Sequence, residues 1–433
     1  MTATLPTATK TLSYWLDTAP PFRGGAEGPV EGGVDVAIVG GGFTGLSAAL
    51  ALSRRGASVA LLEAGRVVGE ASGRNGGQCN NGLAHDYGSL AARIGRERAG
   101  AYYRAYCAAV DTVERLVREE GIDCAFNRCG RIKLAAKPEH YAKLARACEV
   151  LAAEVDPDVR LVPPECLREE IGTDAFFGGL LQATSAQLHV GRFGVGLAEA
   201  AARRGARIFE GAAVTGIGRE AGAWRVSTGR GALRARQVLV ATGGASPGTP
   251  FAWFRRRIVS VGSFIIATEP LDPSVLDRLM PTRRNYVTSK NIGNYFRLAP
   301  DNRLIFGGRA RFALSDPRSD LKSGRILERT LGEIFPELRG VRVDYCWGGM
   351  VDLTADRLPR AGEQDGLFYS MGYSGHGVQM SVHMGEAMAD VMDGRPQANP
   401  WGDLEWPSVP GHFGKPWFLP LVGAYYRVQD ILH

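Results

Sequence analysis

Gly40-Gly41-Gly42-Phe43-Thr44-Gly45 places glycines at the first, third and sixth positions of a G-x-G-x-x-G run, and an acid, Glu63, follows further on. The spacing to that acid is about 20 residues, as in dinucleotide-binding turns. Each residue type has a physical task there. Gly40 turns the chain tightly, Gly42 lets a pyrophosphate approach the backbone, and Gly45 lets helix and strand pack closely. The N–H groups at a helix start, with the positive end of its dipole, attract phosphate. Glu63, with Ala64 beside it, can accept from ribose hydroxyls. A glycine-rich turn without a ligand shares the pattern, so the surrounding elements decide.

Those elements are present. Residues 34–39 form a short apolar run of the kind a buried parallel strand shows. Residues 46–55 are good helix formers that stop at Gly56, and 58–62 read as a second apolar strand ending at Glu63. That is one β-α-β unit. Gly194-Val195-Gly196 also resembles the fingerprint but lies inside a helical pattern, so a second nucleotide site is not expected. Residues 95–155 read as helices, 191–217 as a helix followed by a strand, 224–227 as part of a hairpin, and 237–241 as a third core strand. The 255–345 stretch alternates in the manner of a mixed sheet, with runs at 263–268 and 303–308. The β-α pattern returns at 366–372, followed by a helix to about Met392.

The fold class read from this order is α/β, with a Rossmann-type nucleotide domain interleaved with an α+β domain on a mixed β-sheet. The expected boundaries are an N-terminal arm at 1–33, a discontinuous nucleotide domain at 34–95, 180–250 and 340–395, a substrate or cap domain at 96–179 and 251–339, and an aromatic tail at 396–433.

Composition bounds the partners. The chain has 433 residues, 45% hydrophobic and 22% charged, with 51 Lys plus Arg against 45 Asp plus Glu. Its Arg residues are scattered apart from 255–257 and 283–284, so no nucleic-acid stripe emerges. The 57 Gly residues carry no G-X-Y period. No apolar run reaches the ~18 residues needed to span a bilayer, and the first twelve residues lack the apolar core of a signal peptide. A cytoplasmic protein is the expectation. Seven spread-out cysteines without a Cys-x-x-Cys pair give no metal site. The tail charges, Asp403, Glu405 and Asp430 against Lys415 and Arg427, argue against a basic membrane-surface helix, so its aromatics are expected to pack across the domain seam.

Taken together, Gly40–Gly45 with Glu63, the stretch Ser72-Gly73-Arg74-Asn75-Gly76-Gly77-Gln78, the run Val240-Ala241-Thr242-Gly243-Gly244 and Tyr373-Ser374-Gly375-His376-Gly377 resemble the FAD-dependent amine and amino-acid oxidase superfamily of D-amino-acid oxidase and sarcosine oxidase. Ser13-Tyr14-Trp15, residues 267–271 and 303–308, Arg357-Leu358-Pro359 and Tyr425-Tyr426 resemble its bacterial γ-glutamylputrescine oxidase branch. The resemblance implies FAD, with Arg74 and Asn75 donating toward pyrophosphate or flavin and Gly76-Gly77 allowing close approach. It also implies that Val214 meets the adenine, Gly243-Gly244 contact the nucleotide, and Gly375, His376, Gly377 and Val378 present N–H groups to the flavin.

It implies oxidation of an amine C–N bond to an imine that water hydrolyses, with electrons passed to oxygen. A dehydrogenase delivering electrons to a quinone or carrier, and a non-catalytic flavin-binding subunit, are the alternatives. Where sarcosine-oxidase-type members hold a substrate carboxylate with Arg and Lys, Gln78 and Gln379 stand here. Two amides cannot supply paired positive charge, so any carboxylate is expected far from the reacting carbon. Where some members attach FAD to Cys, Gly349 stands here, so non-covalent FAD is expected, with Cys346 in the core. No single base is evident. His376 is either substrate-facing or structural. His85, with Tyr87, lines the pocket or merely follows the loop. Lys290 faces the flavin or is solvated. Tyr373 is a further substrate-side candidate, and Arg297 holds a remote carboxylate or makes a structural ion pair.

Overall fold

The computed structural model describes residues 9–244 and 251–432. The first eight residues of the arm, residues 245–250 and His433 lie outside it. The strand Gly33–Val39 runs parallel to Val59–Leu62 on one side and to Gly231–Val240 on the other. Val36 to Val39 are buried on both faces of the sheet, as a parallel strand covered by helices must be. The sheet continues outward through Leu367–Met371 and Arg360–Gln364 on one edge and Arg207–Phe209 on the other, with the Val214–Glu220/Ala223–Thr228 hairpin attached to Gly231–Val240. The helix Phe43–Arg54 follows the glycine turn, and Val190–Arg203 contains the second glycine pair. A Cβ on Gly194 would lie 2.3 Å from Val68, and one on Gly196 2.4 Å from Ile122, so those glycines serve packing.

A second eight-stranded sheet runs in the order Val343–Leu353, Val259–Pro270, Arg303–Gly308, Asn294–Leu298, Asn285–Thr288, Arg131–Leu134, Gly179–Gln182, Arg160–Val162. Only the Asn285–Thr288 and Arg131–Leu134 pair is parallel, which makes the sheet mixed. Strand pairing draws the seam differently from the expected boundary at 340. Val343–Leu353 pairs along its length with Val259–Pro270, and so lies in this sheet rather than with the nucleotide strands. The region read as continuous helix is also interrupted: between the helices Arg96–Glu120 and Pro138–Glu154 sits the strand Arg131–Leu134.

The two faces of this sheet differ because side chains alternate along a strand. Ile132, Leu134, Phe264, Ile266, Phe296 and Phe306 form a closed apolar core against the helix Pro317–Ile334. The opposite, inner face carries Arg131, Lys133, Asn285, Tyr295, Arg297, Ser263 and Trp347, aligned by the strand registers. The tail divides. Trp401 is fully buried and stacks on Tyr102 at 5.3 Å, and Trp406 packs on Trp253 and Tyr369. Phe413 and, around the last helix Leu419–Leu432, Trp417, Leu421, Tyr425 and Val428 face outward. Among the described residues no helix is long and apolar enough to cross a membrane, and no group of His, Cys, Asp and Glu could hold a metal ion.

Candidate active site

The glycine turn is built by exclusion of side chains. Gly40 has φ +111°, and a Cβ there would lie 2.6 Å from the Ala241 carbonyl oxygen. A Cβ on Gly45 would lie 2.0 Å from the Gly40 oxygen. The helix Phe43–Arg54 starts at Gly42 without a side-chain cap, which leaves its N-terminal end open to an anion. Ser72 Oγ accepts from the Phe43 N–H at 3.0 Å. Glu63 accepts from the Gly41 and Gly65 N–H groups, both at 2.7 Å, and burial pushes its pKa up. Ala64 is exposed beside it. Val214 opens its strand and packs half-buried against the nucleotide-sheet core.

A second helix, Gly377–Met392, also starts uncapped, at His376. Gly375, just before it, has open space around it, with nothing within 4 Å of the place a Cβ would take. Val378 is buried in the first turn. Gly244 donates its N–H to Asp352 Oδ2 at 2.6 Å, and a Cβ on Gly243 would lie 3.1 Å from the same oxygen. Asp352 also accepts from Ser260 Oγ at 2.5 Å, and burial raises its pKa. Three buried polar atoms in these segments have no partner among the described residues: Thr242 Oγ1, His376 Nδ1 and Gln379 Oε1. Open helix starts, glycine clearances, an acid at the strand end and unpartnered polar atoms are the donor and acceptor set that FAD requires, so the residues present fit that group.

The loop from Gly69 to Gln78 is clamped from below. Arg74 Nε donates to the Gly69 carbonyl at 3.0 Å and Nη1 to that of Gly348 at 3.3 Å. Asn75 Nδ2 donates to the Ala71 and Ser72 carbonyls, and its Oδ1 accepts from the Gly77 N–H. Both side chains thus brace the loop itself. Trp15 and Trp347 donate to the Asn75 and Arg74 carbonyls. Gly77 has φ +71°, and Gly76 lies against the Tyr295 ring, which a Cβ would meet at 2.6 Å.

Arg297 explains much of this order. Its guanidinium donates to the Gly76, Leu188 and Leu298 carbonyls at 2.9, 2.7 and 3.1 Å and lies over the Trp15 ring at 4.7 Å. It is 2% exposed. The sequence offered a carboxylate holder or an ion pair; the structure gives a carbonyl-bound clamp, and burial draws its pKa down to about 10.

Gln78 and Gln379 come together through a residue the sequence reading missed. Gln78 Oε1 accepts from Asn80 Nδ2 at 3.0 Å, and Gln379 Nε2 donates to the Asn80 carbonyl. Gln78 also donates to the Phe296 carbonyl, and Asn80 Oδ1 accepts from Asn285 Nδ2 at 2.8 Å. The junction is made of neutral amides. Tyr373 turns its hydroxyl to Thr44 Oγ1 at 2.8 Å and Ser370 Oγ at 2.9 Å, so it ties the two helix starts together, and burial pushes its pKa up to about 12.

His376 sits edge-on to Tyr106 at 5.5 Å. Burial, then the charge of Arg131, lowers its pKa to about 3, so the ring is neutral. His85 contacts the Asp356 carbonyl oxygen at 2.5 Å, and burial lowers its pKa as well. Tyr87 donates to Glu154, away from this wall. Lys290 is exposed in the turn after Asn285–Thr288. Cys346 is fully buried behind the mixed sheet with its thiol on the Asp320 carbonyl, while Gly349 faces Arg74.

The sequence pattern of the family described as FAD dependent oxidoreductase matches residues 35–391. Gamma-glutamylputrescine oxidoreductase of Escherichia coli strain K12 is 31% identical over 401 residues, which cover 92% of this chain and 93% of that protein. Probable oxidoreductase OrdL of Haemophilus influenzae is 30% identical and covers 87% of each chain. Among solved structures, glycine oxidase from Geobacillus kaustophilus superposes with a TM-score of 0.68 at 22% identity, covering 88% of this chain and 98% of that one. The last likeness shows the fold.

Proposed function

The chain belongs to the FAD-dependent oxidoreductase family, and from that premise we propose that it oxidises the C–N bond of an extended amine that bears no carboxylate on the reacting carbon. It is an FAD-dependent oxidoreductase of the amine and amino-acid oxidising kind; the choice of amine and of electron acceptor is the proposal. Bound FAD supplies the electron sink for removing two electrons from the C–N unit. The chain's own groups bind, orient and desolvate.

The observation that carries the reading is the neutral junction of Gln78, Asn80 and Gln379. An α-carboxylate held against these three amides would lose its hydration with no cation among them to bond, which is costly. An uncharged methylene chain meets no such penalty. Similarity to the Escherichia coli gamma-glutamylputrescine oxidoreductase supports the same class. The substrate ammonium, with a pKa near ~10, must lose a proton before oxidation. The neutral His376 and His85 and the aromatic wall of Tyr106 and Tyr295 favour the uncharged amine by desolvation. The product imine takes up water and releases the nitrogen, leaving an aldehyde, and molecular oxygen takes the electrons.

Anaerobic mixing of the yellow holoenzyme with γ-glutamyl amines, ω-amino acids, diamines and α-amino acids tests this directly. Fastest bleaching by γ-glutamyl or ω-amino compounds is the expected result. Faster bleaching by sarcosine or D-alanine would overturn it. Hydrogen peroxide formed mole for mole with imine in air would establish oxygen as acceptor.

A further inference from the structure

We propose that Arg131 and Lys133, neighbours on the inner face of the mixed sheet, hold a carboxylate at the end of the substrate remote from the oxidised carbon. The proposal rests on the extended-amine reading and names the group that satisfies its far end.

Position comes first. Arg131 and Lys133 alternate with Ile132 and Leu134, which lie in the core behind the sheet, so both cations project from the inner face. Arg131 is in register with Asn285 on the adjacent strand. Asn285 donates to Asn80, and Asn80 accepts from Gln379 on the helix that begins at His376. A continuous wall therefore leads from the uncapped helix start to Arg131. Lys133 lies about 7 Å further along the strand, two residues at ~3.3 Å each, and is exposed.

Charge comes second. Three other arginines have acids, Arg128 with Asp111 and Glu114, Arg303 with Asp301 and Asp344, and Arg284 with Glu170, while Arg297 has carbonyl oxygens. Among the described residues no carboxylate pairs with Arg131 or Lys133. Arg131 donates only to Gln182 Oε1, and its Nε has no partner although it is buried. The fixed acid beyond Gln182, Asp156, is engaged by the Tyr103 hydroxyl at 2.5 Å. Asp86, the acid facing Lys133, caps its own helix through Ser89.

Two cations therefore share a wall whose acids, Asp156 and Asp86, act on them through space but form an ion pair with neither. A ligand that brings a negative charge relieves the repulsion between the two cations. Arg131 offers planar donors to a carboxylate, and Lys133 adds a mobile point charge. A free diamine, with a second cation at its far end, would be repelled from the same place. The substrate class is thus an amine whose far end carries a carboxylate: an ω-amino acid, or a γ-glutamyl amine whose α-carboxylate meets the two cations while its α-ammonium turns away from them.

The test uses holoenzyme and two probes that lack an oxidisable amine, N-butylglutaramate and its neutral diamide, with binding read by calorimetry. Wild type is expected to bind the anionic probe at least tenfold more tightly than the neutral one. Lys133→Met is expected to remove most of that ratio, Lys133→Arg to preserve it, and added salt to erode it in wild type. Equal binding of the two probes by wild type, or a ratio unchanged in Lys133→Met, overturns the proposal. Because neither probe is turned over, a failure of the amine-oxidation reading appears only in the bleaching assay and leaves this measurement intact.

Discussion

At the glycine turn a single added methyl would lie 2.0 Å from a carbonyl oxygen, whereas the inner face of the mixed sheet is built from long side chains such as Arg131, Lys133, Tyr295 and Arg297. The first region works by leaving atoms out, so that backbone N–H groups and helix dipoles meet a pyrophosphate. The second works by placing side chains from strands far apart in sequence on one face. A backbone site recognises what every relative with the same cofactor shares. A side-chain wall can be rewritten one residue at a time without disturbing the turn, and so it is where substrate choice is expected to reside. The contrast can be broken from either side.

The largest effect is expected at Gly45. Gly45→Ala puts its Cβ into the Gly40 carbonyl, and backbone on both sides leaves nothing flexible to yield. Protein purified from a flavin-replete host should be insoluble or colourless, read as flavin absorbance per mole of chain. Full flavin content would mean that the close approach is not what the turn needs.

Next comes Arg297, a wall residue that also serves the backbone region. Arg297→Met leaves the Gly76, Leu188 and Leu298 carbonyls without their donor. At about 1 kcal/mol or more per abandoned buried group, a loss of about 3 kcal/mol is expected in urea unfolding. Arg297→Lys should recover little of it, because one ammonium cannot span the same fork of carbonyls.

The same division explains what the sequence disclosed. Gly40, Gly42, Gly45 and Glu63 lie within one β-α-β unit, where local spacing determines geometry. Gln78 and Gln379 were recognisable as neutral substitutes, but their link through Asn80 needed two chain segments to meet. Arg131 and Lys133 were hidden because the 95–155 stretch is rich in helix formers. The alternation Arg131-Ile132-Lys133-Leu134 was the available signal, a period-two strand pattern too short to outweigh its helical surroundings. Asp352, which holds Gly244, sits on a strand whose partner begins at Val259, a pairing that local pattern does not announce. Arg297 looked like a charge in want of an acid; only the fold shows that carbonyl oxygens satisfy it.

Acid should separate the regions more gently. Burial, then the charges of Arg192 and Arg297, lowers the His189 pKa to about 3, and burial, then Arg131, does the same for His376. An unfolded imidazole titrates near ~6.5. Between those values the unfolded chain binds protons that the folded chain refuses, so stability is lost as pH falls below ~6.5, by up to about 1.4 kcal/mol per pH unit for each ring. Urea midpoints measured between about pH 7 and pH 5 should fall accordingly. His189→Asn, which can still accept from the Arg192 N–H, should flatten the slope by one ring's share.

A smaller change is expected where the wall meets the closing helix. Gln379→Lys would give the amide junction the positive charge it lacks. The ratio of kcat/KM for an α-amino acid over an ω-amino acid should rise about tenfold, or ~1.4 kcal/mol. No change in that ratio would detach substrate choice from the charge of this junction.

The smallest effect concerns His376, which belongs to both regions: its N–H opens the helix while its ring joins the wall. With its pKa held at about 3 by burial and then by Arg131, the ring is already neutral throughout any working range near neutrality. The group whose loss of a proton raises the rate as pH increases is therefore expected to be the substrate ammonium, titrating near ~10 in water, and not this ring. His376→Asn keeps a polar group at the helix start, and the apparent pKa on the acid limb of kcat/KM should move by less than about 0.3 units, although its height can change. A displacement of about one unit would mean that the imidazole takes the proton itself, and the wall would then contribute a base as well as a shape.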